Sequence, residues 1–178
     1  LLVRAGRLTQ YQAGVLAQGK GKGLAIGPYL VLKKRGQGGM GVVFKARHRS
    51  SGREVALKIL LPSFGRDREA VARFRREFEV AARLDHPNVV RAIESDEDRG
   101  VQYLTMEYVE GTDLDELVQR GGPLDVALVV HCAIQAARGL AAAHAVGIVH
   151  RDVKPGNLIL DQAGQIRVLD LGLARVIE

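Results

Sequence analysis

The chain has 178 residues, of which 47% are apolar, and its 26 Lys and Arg residues against 20 Asp and Glu residues give a net charge of +6. This apolar content excludes an intrinsically disordered chain. The single cysteine, Cys132, excludes a disulfide scaffold and favours a reducing compartment, so we expect a cytoplasmic location for this segment.

The positive charge is concentrated at the start of the chain. Residues 1–58 contain twelve Lys and Arg residues but only one acid. This basic end lacks interleaved aromatic residues and any nucleic-acid-binding motif. We therefore interpret it as a solvated basic face that partly serves phosphate, and we expect no nucleic-acid partner.

The first predicted element is a short helix over residues 7–19. Thr9 is placed to cap this helix, and Gln12, three residues later, completes the pattern of a capping box. Gly19 is suited to end the helix, and it begins the run GKGKG, which predicts a flexible linker. Residues 1–27 are thus expected to form a helical extension and linker.

From Pro28 onward, five apolar runs separated by polar or glycine-rich turns predict strands. They are YLVLKK, GVVFKARH, REVALKILL, RAIES (opened by HPNVV) and VQYLTMEYV. Between the third and fourth runs, apolar residues recur at helical spacing over residues 66–85, which predicts one amphipathic helix.

The pattern becomes mainly helical beyond Gly111. DLDELVQR predicts a short helix, and residues 123–145 predict a long one. Polar residues interrupt the long apolar stretch, so we predict a buried helix of a soluble protein and no membrane span within this segment. Two short strands joined at QAG are predicted in NLILDQAGQIRVLD.

A glycine-rich motif, GQGGMG at residues 36–41, lies between the first two predicted strands. Val42 and Val43 follow at once, so the motif joins two antiparallel strands and does not open a helix as in a dinucleotide-binding fold. Such a loop can fold over phosphates, because glycine lets backbone N–H groups approach closely. The alternative is a glycine-rich hairpin without a ligand.

Lys58 follows in the apolar strand VALK. A lysine that faces inward from such a strand is costly unless an acid pairs with it. Glu77, flanked by Phe74 and Phe78 on the predicted helix, is the candidate partner. The alternative is that both residues are ordinary surface residues.

The string HRDVKPGN, residues 150–157, places a carboxylate, an amine and an amide close together in Asp152, Lys154 and Asn157. Asp170 adds a second carboxylate after an apolar strand. Carboxylate and amide oxygens suit Mg²⁺, and a carboxylate suits a hydroxyl proton.

In this order, these motifs resemble those of the protein kinases, and most closely those of bacterial eukaryotic-like (Hanks-type) serine/threonine kinases. The resemblance runs from about Pro28 to Arg175 and covers five motifs. They are GxGxxGxV, VAIK (here VALK), the helix glutamate, HRDxKPxN and DFG (here DLG).

The resemblance implies an α+β, bilobal kinase-like fold. A five-stranded antiparallel sheet with one helix would be followed by a truncated, mainly helical lobe. The implied domains are residues 1–27, 28–109 and 110–178. The activation segment and later helices of the family would lie beyond Glu178, so we expect the chain to be the front part of a longer protein.

The resemblance also assigns roles to individual residues, with ATP and Mg²⁺ as cofactors. The implied ATP contacts are Gly36, Gly38 and Gly41 over the phosphates, Lys58 (paired with Glu77) at the α- and β-phosphates, Val43 and Ala56 above adenine, Ile159 below it, Met106 as gatekeeper, and the backbone of Glu107 and Val109 at the adenine edge. The implied catalytic groups are Asp152 as base, Lys154 at the γ-phosphate, and Asn157 and Asp170 as Mg²⁺ ligands.

The implied activity is transfer of the ATP γ-phosphoryl group to Ser or Thr hydroxyls of protein substrates. A lysine two residues after the catalytic aspartate is the serine/threonine pattern of the family. Three alternatives stay open: a kinase-like nucleotide-binding or scaffolding module without activity, a small-molecule kinase of related fold, and, more remotely, a nucleic-acid-binding protein.

Overall fold

The computed structural model describes residues 2–38, 41–65, 67–169 and 175–176, apart from the side chains of residues 77, 175 and 176. The chain divides into two compact units. The first comprises Leu1–Arg73 and Ile93–Tyr108, and the second Phe74–Ala92 and Val109–Glu178. The domain boundaries expected from the sequence stay predictions.

The first unit consists of a short helix and a six-stranded sheet. Its elements are α1 (Gln10–Ala17), a 3₁₀ turn (Gly21–Leu24), β1 (Ala25–Ile26), β2 (Tyr29–Gln37), β3 (Gly41–His48), β4 (Glu54–Leu60), β5 (Ala92–Asp98) and β6 (Val101–Glu107). The strand order is β1-β2-β3-β4-β6-β5, and the pairs β1–β2, β2–β3, β3–β4 and β4–β6 are antiparallel.

The five predicted strands are confirmed, but the prediction of five was one strand short. The additional strand, β1, pairs with β2 through Ala25 opposite Leu30 and Ile26 opposite Tyr29. Gly27 has a φ of +50°, which glycine adopts without steric cost, and this allows the reversal between the two strands.

The core of the first unit lies on one face of this sheet. Its buried residues are Leu24, Ile26, Tyr29, Val31, Ala46, Val55, Leu57 and Tyr103. The last three residues of the run GKGKG, expected to be a flexible linker, belong to the 3₁₀ turn, and Leu24 at the end of this turn and Ile26 after it are buried in the core. Burial of Leu24 and Ile26 holds the chain between α1 and β2 against the sheet.

The capping box predicted for the first helix is confirmed. The Thr9 side chain accepts a hydrogen bond from the Gln12 N–H at 3.1 Å, and the Gln12 side chain accepts one from the Thr9 N–H at 2.9 Å. Gly19, which follows the helix, has a φ of +71°. The helix is shorter than predicted, because the capping geometry starts it at Gln10.

The second unit is mainly helical, with short strands. Its elements are the later part of α2 (Arg68–Ala81, in the unit from Phe74), β7 (Gly111–Asp113), α3 (Leu114–Gly121), α4 (Val126–Ala145), β8 (Ile148–Val149), a 3₁₀ turn (Pro155–Asn157), β9 (Leu158–Asp161), β10 (Ile166–Val168) and β11 (Arg175–Val176). Strands β10, β9 and β7 form one small sheet, and β11 and β8 form another.

Helix α4 is buried along one face. Asp125 caps it by accepting hydrogen bonds from the N–H groups of residues 127 and 128, and Cys132 and Gln135 are among its buried residues. Burial raises the pKa of the Cys132 thiol, as expected for a structural cysteine.

The helix is long and apolar enough to cross a membrane by length and composition alone. Its exposed large apolar residues are Val126, Val129, Val130 and Ile134.

Candidate active site

Four of the residues predicted to contact ATP lie on one face of the sheet in the first unit. Lys58 of β4 is directly opposite Val43 of β3, and Ala56 is directly opposite Met106 of β6. Directly opposed residues in antiparallel strands, and residues two apart in one strand, project from the same face. This face is the one opposite to Leu57, a core residue, and all four side chains are half-buried.

The glycine-rich segment joins β2 to β3, as predicted. Gly36 lies opposite Val43, and the Gly38 N–H donates to the Gly41 carbonyl at 2.9 Å. A Cβ at Gly41 would lie 2.8 Å from the carbonyl oxygen of Ile59, whereas a Cβ at Gly36 or Gly38 would meet no heavy atom of the described residues within 4 Å. Packing within the described residues therefore accounts for glycine at position 41 and does not account for it at positions 36 and 38.

The segment after β6 carries an aromatic ring that the sequence analysis did not single out. β6 ends at Glu107, and the ring centroid of the next residue, Tyr108, lies 4.3 Å from Lys45 Nζ and 5.5 Å from Arg35 Cζ. Both distances are within the range of cation–π interactions. Val109, the other predicted adenine-edge residue, is half-buried and belongs to the second unit.

In the second unit, His150 anchors the loop that contains Asp152. The imidazole is 2% exposed; its Nδ1 accepts a hydrogen bond from the Asp152 N–H at 3.2 Å, and its Nε2 lies 2.9 Å from the Leu169 carbonyl oxygen. A backbone N–H can only donate and a carbonyl can only accept. These contacts therefore fix the tautomer with its proton on Nε2, and His150 acts as a structural bridge.

Asp152, Lys154 and Asn157 are brought together as predicted. Asp152 Oδ2 lies 2.6 Å from Lys154 Nζ and accepts a hydrogen bond from Asn157 Nδ2 at 3.2 Å, while its backbone carbonyl accepts another from Asn157 Nδ2 at 2.7 Å. The Lys154 ammonium lowers the pKa of the Asp152 carboxyl group, with a further contribution from Asn157. The carboxylate is therefore ionised at neutral pH and able to accept a proton.

Asn157 also connects this loop to the end of β10. Its backbone carbonyl accepts a hydrogen bond from the Leu169 N–H at 2.8 Å. Because Asn157 Nδ2 donates to Asp152, the side-chain Oδ1 is the atom that remains to coordinate a cation, which fits an oxygen ligand of Mg²⁺. The second predicted ligand, Asp170, follows Leu169 directly and lies outside the described residues.

Two further predicted residues lie on elements of the structure. Ile159 of β9 is half-buried and is paired with Asp113 of β7. Its side chain also packs against Gly111, because a Cβ at Gly111 would lie 2.6 Å from Ile159 Cγ2. Glu77 lies in α2, and its side chain is outside the described residues, so its predicted pairing with Lys58 stays a prediction.

A family model described as "Protein kinase domain" matches residues 29–178. The chain belongs to the protein kinase family. The predicted relation to bacterial serine/threonine kinases is confirmed by the curated relatives. The chain is 42% identical over 148 residues to the serine/threonine-protein kinase PrkC of Bacillus subtilis, a match that covers 83% of this chain and 23% of that protein.

The other comparisons agree with this relation. The chain is 39% identical over 158 residues to the serine/threonine-protein kinase PknH of Mycobacterium tuberculosis, which covers 89% of this chain and 25% of that protein. It thus spans about a quarter of the length of these relatives. The crystal structure of a point mutant of the Mycobacterium tuberculosis PknI kinase domain matches with a TM-score of 0.70 and 34% identity, over 85% of this chain and 62% of that one. The predicted kinase fold is therefore confirmed.

The sequence analysis missed a buried polar network in the second unit of this kinase chain. Asn88 Nδ2 donates to Gln135 Oε1 at 3.1 Å and to the Ile166 carbonyl at 2.8 Å, and Gln135 Oε1 also accepts from the Ile166 N–H at 3.0 Å. Asn88 and Gln135 are both buried. The network fixes β10, which leads to Leu169. The sequence feature that could have indicated this network is Gln135, an amide side chain within an otherwise apolar predicted helix.

Proposed function

We propose that the protein transfers the γ-phosphoryl group of ATP to Ser or Thr hydroxyls of protein substrates. The observation that carries the proposal is the cluster of Asp152, Lys154 and Asn157, in which an ionised carboxylate lies 2.6 Å from an ammonium group. The kinase family and the names of the relatives support the reaction class. We also expect a cytoplasmic location for this segment.

In the proposed reaction, Asp152 accepts the proton of the substrate hydroxyl as its oxygen bonds to the γ-phosphorus. The bond between the γ-phosphorus and the oxygen bridging to the β-phosphate breaks, and ADP leaves with that oxygen. Lys154 offsets the negative charge on the transferred group, and Lys58 holds the α- and β-phosphates. Most of the catalysis is then positioning and charge neutralisation, with little covalent chemistry for the protein.

The nucleotide would lie on the face that carries Val43, Ala56 and Met106, with Gly36 and Gly38 over its phosphates. Among the described residues, no heavy atom lies within 4 Å of a Cβ at either glycine, which supports this role, because an approach of phosphate oxygens to backbone N–H groups needs that space. Glu107 and Val109 would bind the adenine edge through their backbone, and Ile159 would pack below it. Asn157, with Asp170, would hold Mg²⁺, which neutralises phosphate charge when bound.

The test measures phosphoryl transfer from γ-labelled ATP to a generic Ser- and Thr-rich acceptor protein, with the full-length protein as enzyme. We expect Asp152→Asn to lower the rate by roughly 10²- to 10⁴-fold, the usual contribution of a general base. Lys58→Met should also lower it strongly. Matched controls are Asp85→Asn and Lys33→Met, which change an exposed carboxylate and an exposed lysine and should leave the rate unchanged.

ATP binding without transfer by the wild-type protein would contradict the proposal. It would favour the alternative of a nucleotide-binding or scaffolding module.

A further inference from the structure

Helix α1 is hydrogen-bonded to the strand that leads into the glycine-rich segment. Thr9 Oγ1 donates to the Leu32 carbonyl at 2.6 Å, and Gln12 Nε2 donates to the Val31 carbonyl at 2.8 Å. Gln12 is only 3% exposed. The two side chains of the capping box therefore have a second role, because they also bind consecutive carbonyls of β2.

These two carbonyls lie at an irregularity of the strand. Val31 of β2 is opposite Ala46 of β3, and Lys33 is opposite Lys45, so that Leu32 is an extra residue without a partner in β3. Such a bulge bends a strand and interrupts its ladder of hydrogen bonds. It also explains why Val31 and Leu32 are both buried although they are neighbours in a strand. The bulge therefore needs a hydrogen-bond donor from outside the ladder, and α1 supplies it.

The same helix also contacts β3, the strand that follows the glycine-rich segment. A second register shift makes Arg35 an extra residue immediately before Gly36. On β3, the Phe44 ring, next to Val43, has its centroid 6.1 Å from that of Tyr11 in α1. Helix α1 thus holds the strand that enters the segment and touches the strand that leaves it.

We infer that Thr9 and Gln12 are positioning residues for the glycine-rich segment, and that they raise the affinity of the protein for nucleotide. This inference rests on the proposed function, because it takes Gly36, Gly38 and Gly41 as the glycines that cover the phosphates. With the bulge fixed by α1, the direction in which β2 enters the segment is set before the ligand arrives. A ligand that meets Gly36 and Gly38 on a preorganised strand end loses less affinity to ordering them.

The test measures the Kd of Mg²⁺ with a non-hydrolysable ATP analogue by titration calorimetry of the full-length protein. Thr9→Val keeps the shape of the side chain and removes its hydrogen bonds, and Gln12→Met keeps a side chain of similar length while removing the hydrogen bonds of the amide. We expect each to raise the Kd by roughly two- to tenfold, the factor that one net hydrogen bond corresponds to. Steady-state kinetics should show the KM for ATP rising by a similar factor with kcat changed less than twofold.

Two controls separate positioning from general stability. Thr9→Ser retains the hydroxyl, so it should restore the wild-type Kd. Ile93→Val trims a residue that packs against the same core on β5, which three strands separate from β2, and should lower the melting temperature without changing the Kd. An equal rise of Kd in Ile93→Val and Thr9→Val would overturn the inference.

A measurement on the wild-type protein keeps the inference testable even if the variants fold poorly. Coupling between two sites is reciprocal: if docking of α1 favours nucleotide binding, bound nucleotide must favour docking of α1. The analogue should therefore slow hydrogen–deuterium exchange of the α1 amides. Unchanged exchange in α1, with the analogue bound, would refute the inference and leave the proposed function intact. Absence of any nucleotide binding by the wild-type protein would refute both.

Discussion

Replacing Asn88 by alanine should destabilise the second unit measurably. Asn88 is buried, and its Nδ2 donates to the Ile166 carbonyl at 2.8 Å and to Gln135 Oε1 at 3.1 Å. Removing one partner from a buried acceptor costs about 1–3 kcal/mol. Gln135 Oε1 keeps the Ile166 N–H at 3.0 Å, so its loss is smaller. We expect a total decrease of about 2–3 kcal/mol in the free energy of unfolding.

The assay is thermal unfolding of the full-length protein, followed by a probe of the kinase domain. For a domain of this size, 1 kcal/mol corresponds to roughly 2–4 °C, so the Asn88→Ala midpoint should fall by roughly 4–12 °C. Gln119→Ala is the matched control, because it removes an exposed amide that donates to Asp115 at 2.8 Å, and it should change stability by less than about 0.5 kcal/mol. If Asn88→Ala unfolds within about 1 °C of Gln119→Ala, the network does not stabilise this unit.

Two further outcomes are expected. The pKa of Asp152 is lowered chiefly by Lys154, so the Asp152 carboxyl group stays ionised until the pH falls through that lowered pKa. Lys154→Met should raise this pKa toward the usual range, so that the negative charge is lost at a higher pH. An NMR titration of the Asp152 carboxyl carbon measures this shift. A downward or absent shift would contradict the assigned cause. Gly41→Ala should destabilise the first unit by about 1–3 kcal/mol in chemical denaturation, because its Cβ would lie 2.8 Å from the Ile59 carbonyl oxygen. Gly38→Ala should change stability by less than about 0.5 kcal/mol and weaken only nucleotide binding. Equal losses of stability would contradict the packing argument.

Features that depend on neighbouring residues could be predicted from the sequence. The capping box of Thr9 and Gln12 spans three positions, and the grouping of Asp152, Lys154 and Asn157 spans five, so short-range geometry fixes both. Apolar runs bounded by turn residues also located the five long strands.

Features that depend on distant partners could not be predicted in this way. In the sequence, nothing distinguishes Asn88 from other loop residues, because its hydrogen-bond partners Gln135 and Ile166 are 47 and 78 positions away along the chain. Leu24 and Ile26 follow a glycine-rich run that is typical of linkers, and only their burial in the core shows that the segment is ordered. Tertiary packing overrides local composition at these positions.

The unequal residue count in the two strands around the glycine-rich segment has a mechanical consequence. Nine residues of β2, from Tyr29 to Gln37, run alongside the seven residues of β3 from Val42 to His48. When two paired strands have different numbers of residues between the same two ends, the longer strand must bend for the pairing to continue. Curvature at this edge of the sheet is therefore built into the strands themselves, and deletion of Leu32 and Arg35 together would be expected to flatten it.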